Sequence, residues 1–317
     1  MSAGEFAIPA FSAVVATDEY DTIRPVVAAL QRQTIAGRIE LVIVIPASAS
    51  GRLPRAELTG LGSFRIVEVD SVYDLARARA AGVRAAAAPI VFIGETHTYP
   101  EPGFAQALLT SFEQPWAAVV PAVVNANPES VMSWSSYLVD YEPWGERRRG
   151  GELPDPLIYN TAYRRSVLLS FGDQLGDALD PTSEMLWPRL HAEGHRACFA
   201  PEARLRHLNV ARFGPMLVEK FGMGVVLGNH RADRWPGARR AAYVLASPLI
   251  PAVLIGRVVQ KVGWPARPAA IPGALIGAVS KAAGEVLGYL GVRLPAVDAK
   301  RVDIEIHKVR YAARKHS

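Results

Sequence analysis

Cysteine is almost missing from this chain: Cys198 is the only one in 317 residues, so no internal disulfide can form and nothing calls for an oxidising compartment. The opening ten residues hold one Glu and no Lys or Arg, and the expectation is that no signal peptide precedes the fold. The strand-end turns lack a Gly-rich phosphate loop with a basic residue. After the first apolar run stands only Ala16–Tyr20, which argues against a nucleotidyltransferase. No apolar stretch is a clean membrane span. Ala241 to Gly256 has 16 residues and two prolines, short of the roughly 20 needed. Pro268 to Leu290 is long enough but is interrupted by Lys281 and Glu285, which at i and i+4 share a helical face and can pair.

What is present is half apolar (50%) and moderately charged (21%), a composition that excludes disorder, collagen-like repeats and a disulfide scaffold. The formal charge of +5 divides unevenly. Residues 1–200 carry 16 Lys and Arg against 23 Asp and Glu, a net −7, and residues 201–317 carry 19 against 7, a net +12. An acidic body with a basic tail points to an anionic partner for the tail. Its cations are interleaved with Ala, Val, Leu and Ile rather than with exposed aromatics, which favours a membrane surface over nucleic acid. Gly273/Gly277 and Gly284/Gly288 permit close helix packing. Helices lying in a bilayer interface are the favoured reading, ahead of a soluble helical hairpin or a true span.

Short apolar runs alternate with helical periodicity as far as about residue 124. Strands are expected at 11–15, 39–45, 64–69, 89–93 and 117–124, and helices at 18–34, 72–88 and 103–112. This is the pattern of an α/β fold with a mainly parallel sheet and helices on both faces. Ligands in such sheets sit at the carboxyl ends of the strands, here the turns Ala16–Glu19, Pro46–Gly51, Asp70–Tyr73 and Gly94–Thr98. The expected domains are 1–240 and a basic, apolar helical region, 241–317.

Five ordered segments carry a family resemblance. These are Thr17-Asp18-Glu19 with Gln33-Thr34; Ala78-Arg79-Ala80-Ala81-Gly82; Ala88-Pro-Ile-Val-Phe-Ile-Gly-Glu95-Thr-His97; Tyr159-Asn160-Thr-Ala-Tyr-Arg-Arg165; and Arg189, Gly194, Pro201 and His207 at their spacing. From about Phe11 to His207 the chain resembles the family 2 glycosyltransferases of GT-A fold. The resemblance implies transfer of a sugar from a nucleotide-diphosphate sugar, with inversion, to a glycan or lipid-linked acceptor of cell-envelope type. The charge split and the basic, apolar tail, taken with the resemblance, lead to the expectation of a cytoplasmic enzyme, peripheral at the inner membrane face.

The matches and departures assign candidate residues. Glu95 and His97 stand at the family's Asp-x-Asp position, and His207 matches its third ligand. One carboxylate and two imidazoles suit Mn²⁺ better than Mg²⁺. The alternatives are that His97 contacts diphosphate directly or that these are polar loop residues. The turn Pro46–Gly51 has no carboxylate where the family has one for the nucleotide base, so Thr17, Glu19, Asp70 or backbone groups become the candidates. Arg79 is placed for phosphate, whereas Arg77 reads equally well as a solvated residue. Thr182-Ser183 occupies the family's Glu-Asp position for the general base and cannot deprotonate a hydroxyl, leaving Glu184 first and Asp180 second. Glu184 has a structural alternative as first-turn helix charge, with Asp180 or Thr182 as cap. Arg164, Arg165, His191 and His195 read as surface groups. Trp134, Tyr137, Tyr141 and Trp144 read as core before sugar platform. Ala80, Ala47 and Thr182-Ser183 also permit a non-catalytic nucleotide-sugar or glycolipid binding protein.

Overall fold

The computed structural model of the protein describes residues 8–262 and 267–312, and the side chains of Lys261 and Val262 are outside that description. The residues before Ile8, on which the absence of a leader was read, therefore lie outside it. The chain forms two compact units: residues 1–122 with 149–205, and residues 123–148 with 206–317. This division differs from the expected boundary at 240, because the 123–148 segment and the chain from Arg206 onward belong together.

Nine strands form one sheet: β1 (Phe11–Ala16), β2 (Ile39–Pro46), β3 (Ser63–Val69), β4 (Ile90–Ile93), β5 (Thr98–Pro100), β6 (Ala118–Asn125), β7 (Gly151–Glu152), β8 (Thr161–Arg164) and β9 (Ala197–His207). The helices before residue 200 are α1 (Tyr20–Gln31), α2 (Ala47–Ser50), α3 (Leu75–Ala85), α4 (Phe104–Ser111), α5 (Val131–Asp140), α6 (Arg165–Leu169), α7 (Leu175–Ala178) and α8 (Leu186–Ala192). Those after it are α9 (Phe213–Ala232), α10 (Gly237–Ala246), α11 (Ile250–Val262), α12 (Ile271–Tyr289), α13 (Pro295–Ile306) and α14 (Val309–Ala312).

The strand order is β3-β2-β1-β4-β8-β6-β9-β5, with β7 on β9. Strands β3, β2, β1 and β4 are parallel, as the alternation of apolar run and helix dictates. Beyond β4 the sheet becomes mixed, since β8 runs antiparallel to both β4 and β6. All five expected strands are present within a residue or two.

Burial on both faces explains the largely apolar runs of β1, β2 and β4, and the two polar exceptions satisfy each other, the Ser12 hydroxyl donating to the Glu40 carboxylate (2.6 Å). Phe11, Phe92 and Phe104 meet beneath α4, with ring centroids 5.1–6.4 Å apart. Gly82 of α3 lies against Val14, where a Cβ would collide with the valine side chain. Buried Gln33 ties the end of α1 to the chain after β5. Its Nε2 donates to the Glu101 carbonyl (2.8 Å), and its Oε1 accepts from the Ala105 N–H (3.0 Å).

In the second unit α9 and α12 pack backbone to backbone. Gly224 and Gly228 on α9 face Gly284 and Gly288 on α12, and a Cβ at any of the four would meet backbone atoms of the facing helix. Lys281 and Glu285 pair as expected (3.7 Å), and Glu285 also accepts from Tyr289 Oη (3.0 Å). The first apolar stretch is longer than its sequence pattern implied. Helical structure runs from Gly237 to Gln260 through a 3₁₀ turn at Ser247–Leu249, so Pro248 is absorbed at the start of that turn instead of ending the helix. This 24-residue stretch and Pro268–Tyr289 are both long and apolar enough to cross a membrane; of the most apolar 18-residue window, 11% is buried in the first and 39% in the second.

Candidate active site

The parallel strands deliver their carboxyl ends to one edge. Val14 of β1 is in register with Ile93 of β4, and the Thr17 N–H reaches the Val44 carbonyl of β2 (2.9 Å). From the end of β4 the chain turns through Gly94-Glu95-Thr96-His97 before β5. Thr98 closes this turn, its hydroxyl accepting from the Glu95 N–H (3.3 Å) and donating to the Glu95 carbonyl (3.2 Å). The turn is as buried as the strand it leaves, with Glu95 4% and His97 1% exposed. His97 Nε2 lies 3.4 Å from Glu95 Oε2, and the Thr96 hydroxyl is 3.2 Å from His97 Nδ1. A carboxylate and an imidazole withdrawn from water are costly unless paired or hydrogen-bonded, and such buried titratable groups mark a candidate functional site.

Asn160 holds this carboxylate. Its N–H bonds to the Ile93 carbonyl (2.8 Å), which brings its side chain to Glu95 Oε2 (Nδ2 to Oε2, 2.7 Å). The geometry requires a left-handed backbone, φ +57°, which Asn adopts more readily than other non-glycine residues. Among the described residues Asn160 Oδ1 is buried without a hydrogen-bond partner.

Arg79 projects inward from α3 and is 3% exposed, its guanidinium 3.7 Å from the ring centre of Tyr159. The Tyr159 hydroxyl donates to the Leu179 carbonyl (2.6 Å). The Tyr159 phenol is pushed up to about 12 in all: burial raises it most, Arg79 lowers it, and the carboxylates of Asp180 and Glu95 raise it. One phenol thus feels Arg79, Asp180 and Glu95 together. The structure gathers Glu95, His97, Arg79 and Asp180 and adds Tyr159 to them, while Asn160, expected near an acceptor or as a turn cap, instead bonds the Glu95 carboxylate.

The loop before α8 is a built turn. Asp180 Oδ1 accepts from both the N–H and the hydroxyl of Thr182 (2.8 Å each), and the Ser183 N–H bonds to the Asp180 carbonyl (3.0 Å). Glu184 follows, exposed and left-handed at φ +53°. The helix begins later, at Leu186 with Met185 in the capping position, so Asp180 and Thr182 cap a turn and not this helix.

The other candidates separate. Buried Thr17 donates to the Glu19 carbonyl (2.7 Å), and Glu19 accepts from the Thr22 hydroxyl (3.1 Å), both at the start of α1. Asp70 is exposed after β3, three strands from β4 in the sheet order. Arg77 is exposed between Asp74 and Asp177. Arg164 and Arg165 donate to main-chain carbonyls at Phe112, Gln114 and Trp116 and at Val83 and Arg84, which makes them ties between segments. His191 is exposed on α8 and His195 sits in the following turn, as expected.

His207 ends β9 and belongs to the second unit, 1% exposed. Its Nδ1 lies 3.0 Å from Asn209 Oδ1, and the Tyr141 ring is 4.1 Å from the imidazole, centre to centre. Tyr137 is buried with its hydroxyl on the Val123 carbonyl (2.7 Å), and Trp134 packs edge-on against it.

The family model described as glycosyl transferase family 2 matches residues 12–171. No curated protein matches the chain closely enough to serve as a relative. Among solved structures, S. aureus TarS 1–349 in complex with UDP is similar at 14% identity and a TM-score of 0.43, over 89% of this chain and 92% of that one.

Proposed function

The chain belongs to glycosyl transferase family 2, the matched segment spanning β1 to α6, and on that premise we propose that it transfers a sugar from a nucleotide-diphosphate donor with inversion at the anomeric carbon. The observation that carries this reading is the buried Glu95–His97 pair at the carboxyl end of β4, its carboxylate held by Asn160. Glu95, His97 and His207 are our candidate ligands for a divalent cation. All three are buried, and a donor set of one carboxylate and two imidazoles fits a borderline ion such as Mn²⁺. When bound, such an ion offsets charge on the departing diphosphate. Arg79, stacked on Tyr159, brings fixed positive charge to the same end of the sheet. Thr17, Glu19 and Asp70 are the proposed contacts for the nucleoside.

Glu184 is the proposed general base. Its carboxylate takes the acceptor hydroxyl proton as that oxygen attacks the anomeric carbon and the diphosphate leaves. Support comes from its exposure, which leaves room for an acceptor, and from a left-handed backbone that the Asp180 turn imposes. Asp180, whose Oδ1 accepts within that turn, is the second candidate for the base.

The acceptor is proposed to be lipid-linked, at an anionic membrane surface. On the Gly237–Gln260 stretch Tyr243, Leu245, Leu249 and Val253 are exposed, with Arg239 and Arg257 exposed on the same stretch. A thermal-shift screen of nucleotide sugars with and without Mn²⁺ tests the donor reading. Stabilisation by one nucleotide, larger with Mn²⁺, is the expected result. Failure of every donor to stabilise or turn over would refute it, and binding without turnover would point to a non-catalytic binding protein.

A further inference from the structure

Hydrogen bonds in the second unit determine which nitrogen of His207 carries its proton. The Asn127 main-chain N–H, which can only donate, bonds to the Asn125 side-chain atom assigned as Oδ1 (3.1 Å). That atom is therefore the oxygen. It also accepts from the Ser133 hydroxyl (2.8 Å) and from the Asn209 side chain (3.0 Å), so the Asn209 atom facing it must be the amide nitrogen. The same nitrogen lies 3.1 Å from the His207 carbonyl, a second acceptor. Asn209 Oδ1 is left facing His207 Nδ1 at 3.0 Å, and an oxygen there requires Nδ1 to be the donor.

The far end of Asn209 is fixed as well. Its main-chain N–H bonds to Asn127 Oδ1 (3.0 Å), and Asn127 Nδ2 donates to the Asn209 carbonyl (2.8 Å). Both residues are buried, Asn209 at 2% and Asn125 at 5% exposed.

We infer that Asn209, oriented by Asn125 and Asn127, is a positioning residue that holds His207 in the Nδ1–H tautomer and so presents the Nε2 lone pair as a metal ligand. The ligand role rests on the divalent-cation reading above; the tautomer does not. Ligating histidines characteristically donate their other ring N–H to a carbonyl, amide or carboxylate oxygen, which raises ligand basicity and fixes the ring plane. Nothing in the spacing of His207 and Asn209 alone would show this, because the direction of the bond is set by Asn125 and Asn127, more than eighty residues upstream.

The test uses the full chain, uniformly labelled at histidine nitrogen, with His207→Ala for assignment. Long-range proton–nitrogen correlation on the metal-free protein should show His207 protonated at Nδ1 and unprotonated at Nε2. Asn209→Leu, checked for an intact fold by circular dichroism, should lose that single tautomer and bind Mn²⁺ about 10–100-fold more weakly by electron paramagnetic resonance. Asn125→Asp is the rescue control. It keeps the acceptor that faces Asn209, and among the described residues Asn125 Nδ2 has no hydrogen-bond partner to lose, so tautomer and affinity should both persist. An Nε2–H tautomer in the wild type, or Mn²⁺ affinity unchanged in a folded Asn209→Leu, overturns the inference. Wild-type Mn²⁺ affinity in His207→Ala overturns the ligand role together with the divalent-cation reading, and the metal-free spectrum shows separately whether the tautomer survives.

Discussion

At the scale of single residues, two non-glycine backbones among the described residues sit in the left-handed region, Asn160 and Glu184. Such conformations persist where surrounding bonds over-determine them, at an expense of order 1–3 kcal/mol. Asn160 is held by the Ile93 carbonyl and by Glu95, and Glu184 follows the turn that Asp180 and Thr182 close. Glu184→Gln should therefore lower kcat by about 10²–10⁴-fold while leaving nucleotide-sugar affinity within a few-fold, measured by steady-state turnover beside direct donor titration. Asp180→Asn should have a smaller effect on kcat, because an amide oxygen can still accept from Thr182. Equal turnover by Glu184→Gln and wild type would transfer the base role elsewhere.

Asp303 supplies the pH-sensitive contact. Burial raises its carboxyl, but hydrogen bonds from Lys300, Tyr311 and His307 outweigh that and bring it to about 2, from an ordinary 3.8. A depressed acid stabilises the folded state above its unfolded value and loses that contribution as pH falls through the folded one. Unfolding midpoints of the wild type should fall between about pH 4 and pH 2 relative to Asp303→Asn, and the difference should be constant above pH 5. A constant difference across the whole range would show that the carboxylate does not bear on stability.

At the scale of elements, the first half of the sheet could be read from the chain because parallel, doubly covered strands are short apolar runs separated by helices. Boundaries shifted for local reasons. α3 starts at Leu75 and not at 72, because Asp74 accepts from the Arg77 N–H (3.0 Å) and caps it there. β8 escaped notice: it has four residues and no alternation, and its antiparallel place between β4 and β6 is a long-range pairing. The α9–α12 contact was half legible. The glycines of α12 were visible as small-xxx-small repeats, but their partners Gly224 and Gly228 become significant only when the two helices face each other.

Gly224→Leu should destabilise by at least about 1–3 kcal/mol, since the added atoms meet the backbone at Lys281 and Glu285. Gly256→Ala on α11, where a Cβ meets nothing within 4 Å, should be neutral or raise stability by about 0.5–1 kcal/mol. Chemical denaturation of both variants checks the pair; equal effects would mean that close packing is not what the α9–α12 glycines provide.

At the scale of the whole molecule, the charge split of −7 and +12 is what the proposed membrane contact rests on. Binding of the full chain to vesicles should require anionic lipid and weaken between low and high salt, because each cation near such a surface contributes about 1 kcal/mol and is screened within a Debye length. Flotation with neutral and anionic vesicles measures this. Equal binding to both would leave apolar insertion alone as the attraction, and no binding to either would remove the membrane from the proposal.

Composition and periodicity were enough to determine an α/β fold and its strand ends, because those properties are local and repeat along the chain, and the resemblance of five ordered segments pointed to the family that the family model then matched. They also supplied Glu95, His97 and Arg79, which sit where a motif places them. Only the tertiary structure decided that Tyr159 stacks on Arg79, that Asn160 grips Glu95, that Asp180 closes a turn, and that Asn125 sets the orientation of Asn209. Each of these depends on the direction of a hydrogen bond or the facing of a ring. No sequence period encodes that: a buried polar atom takes whichever partner the packed chain brings to it, and desolvation makes leaving it unpaired costly.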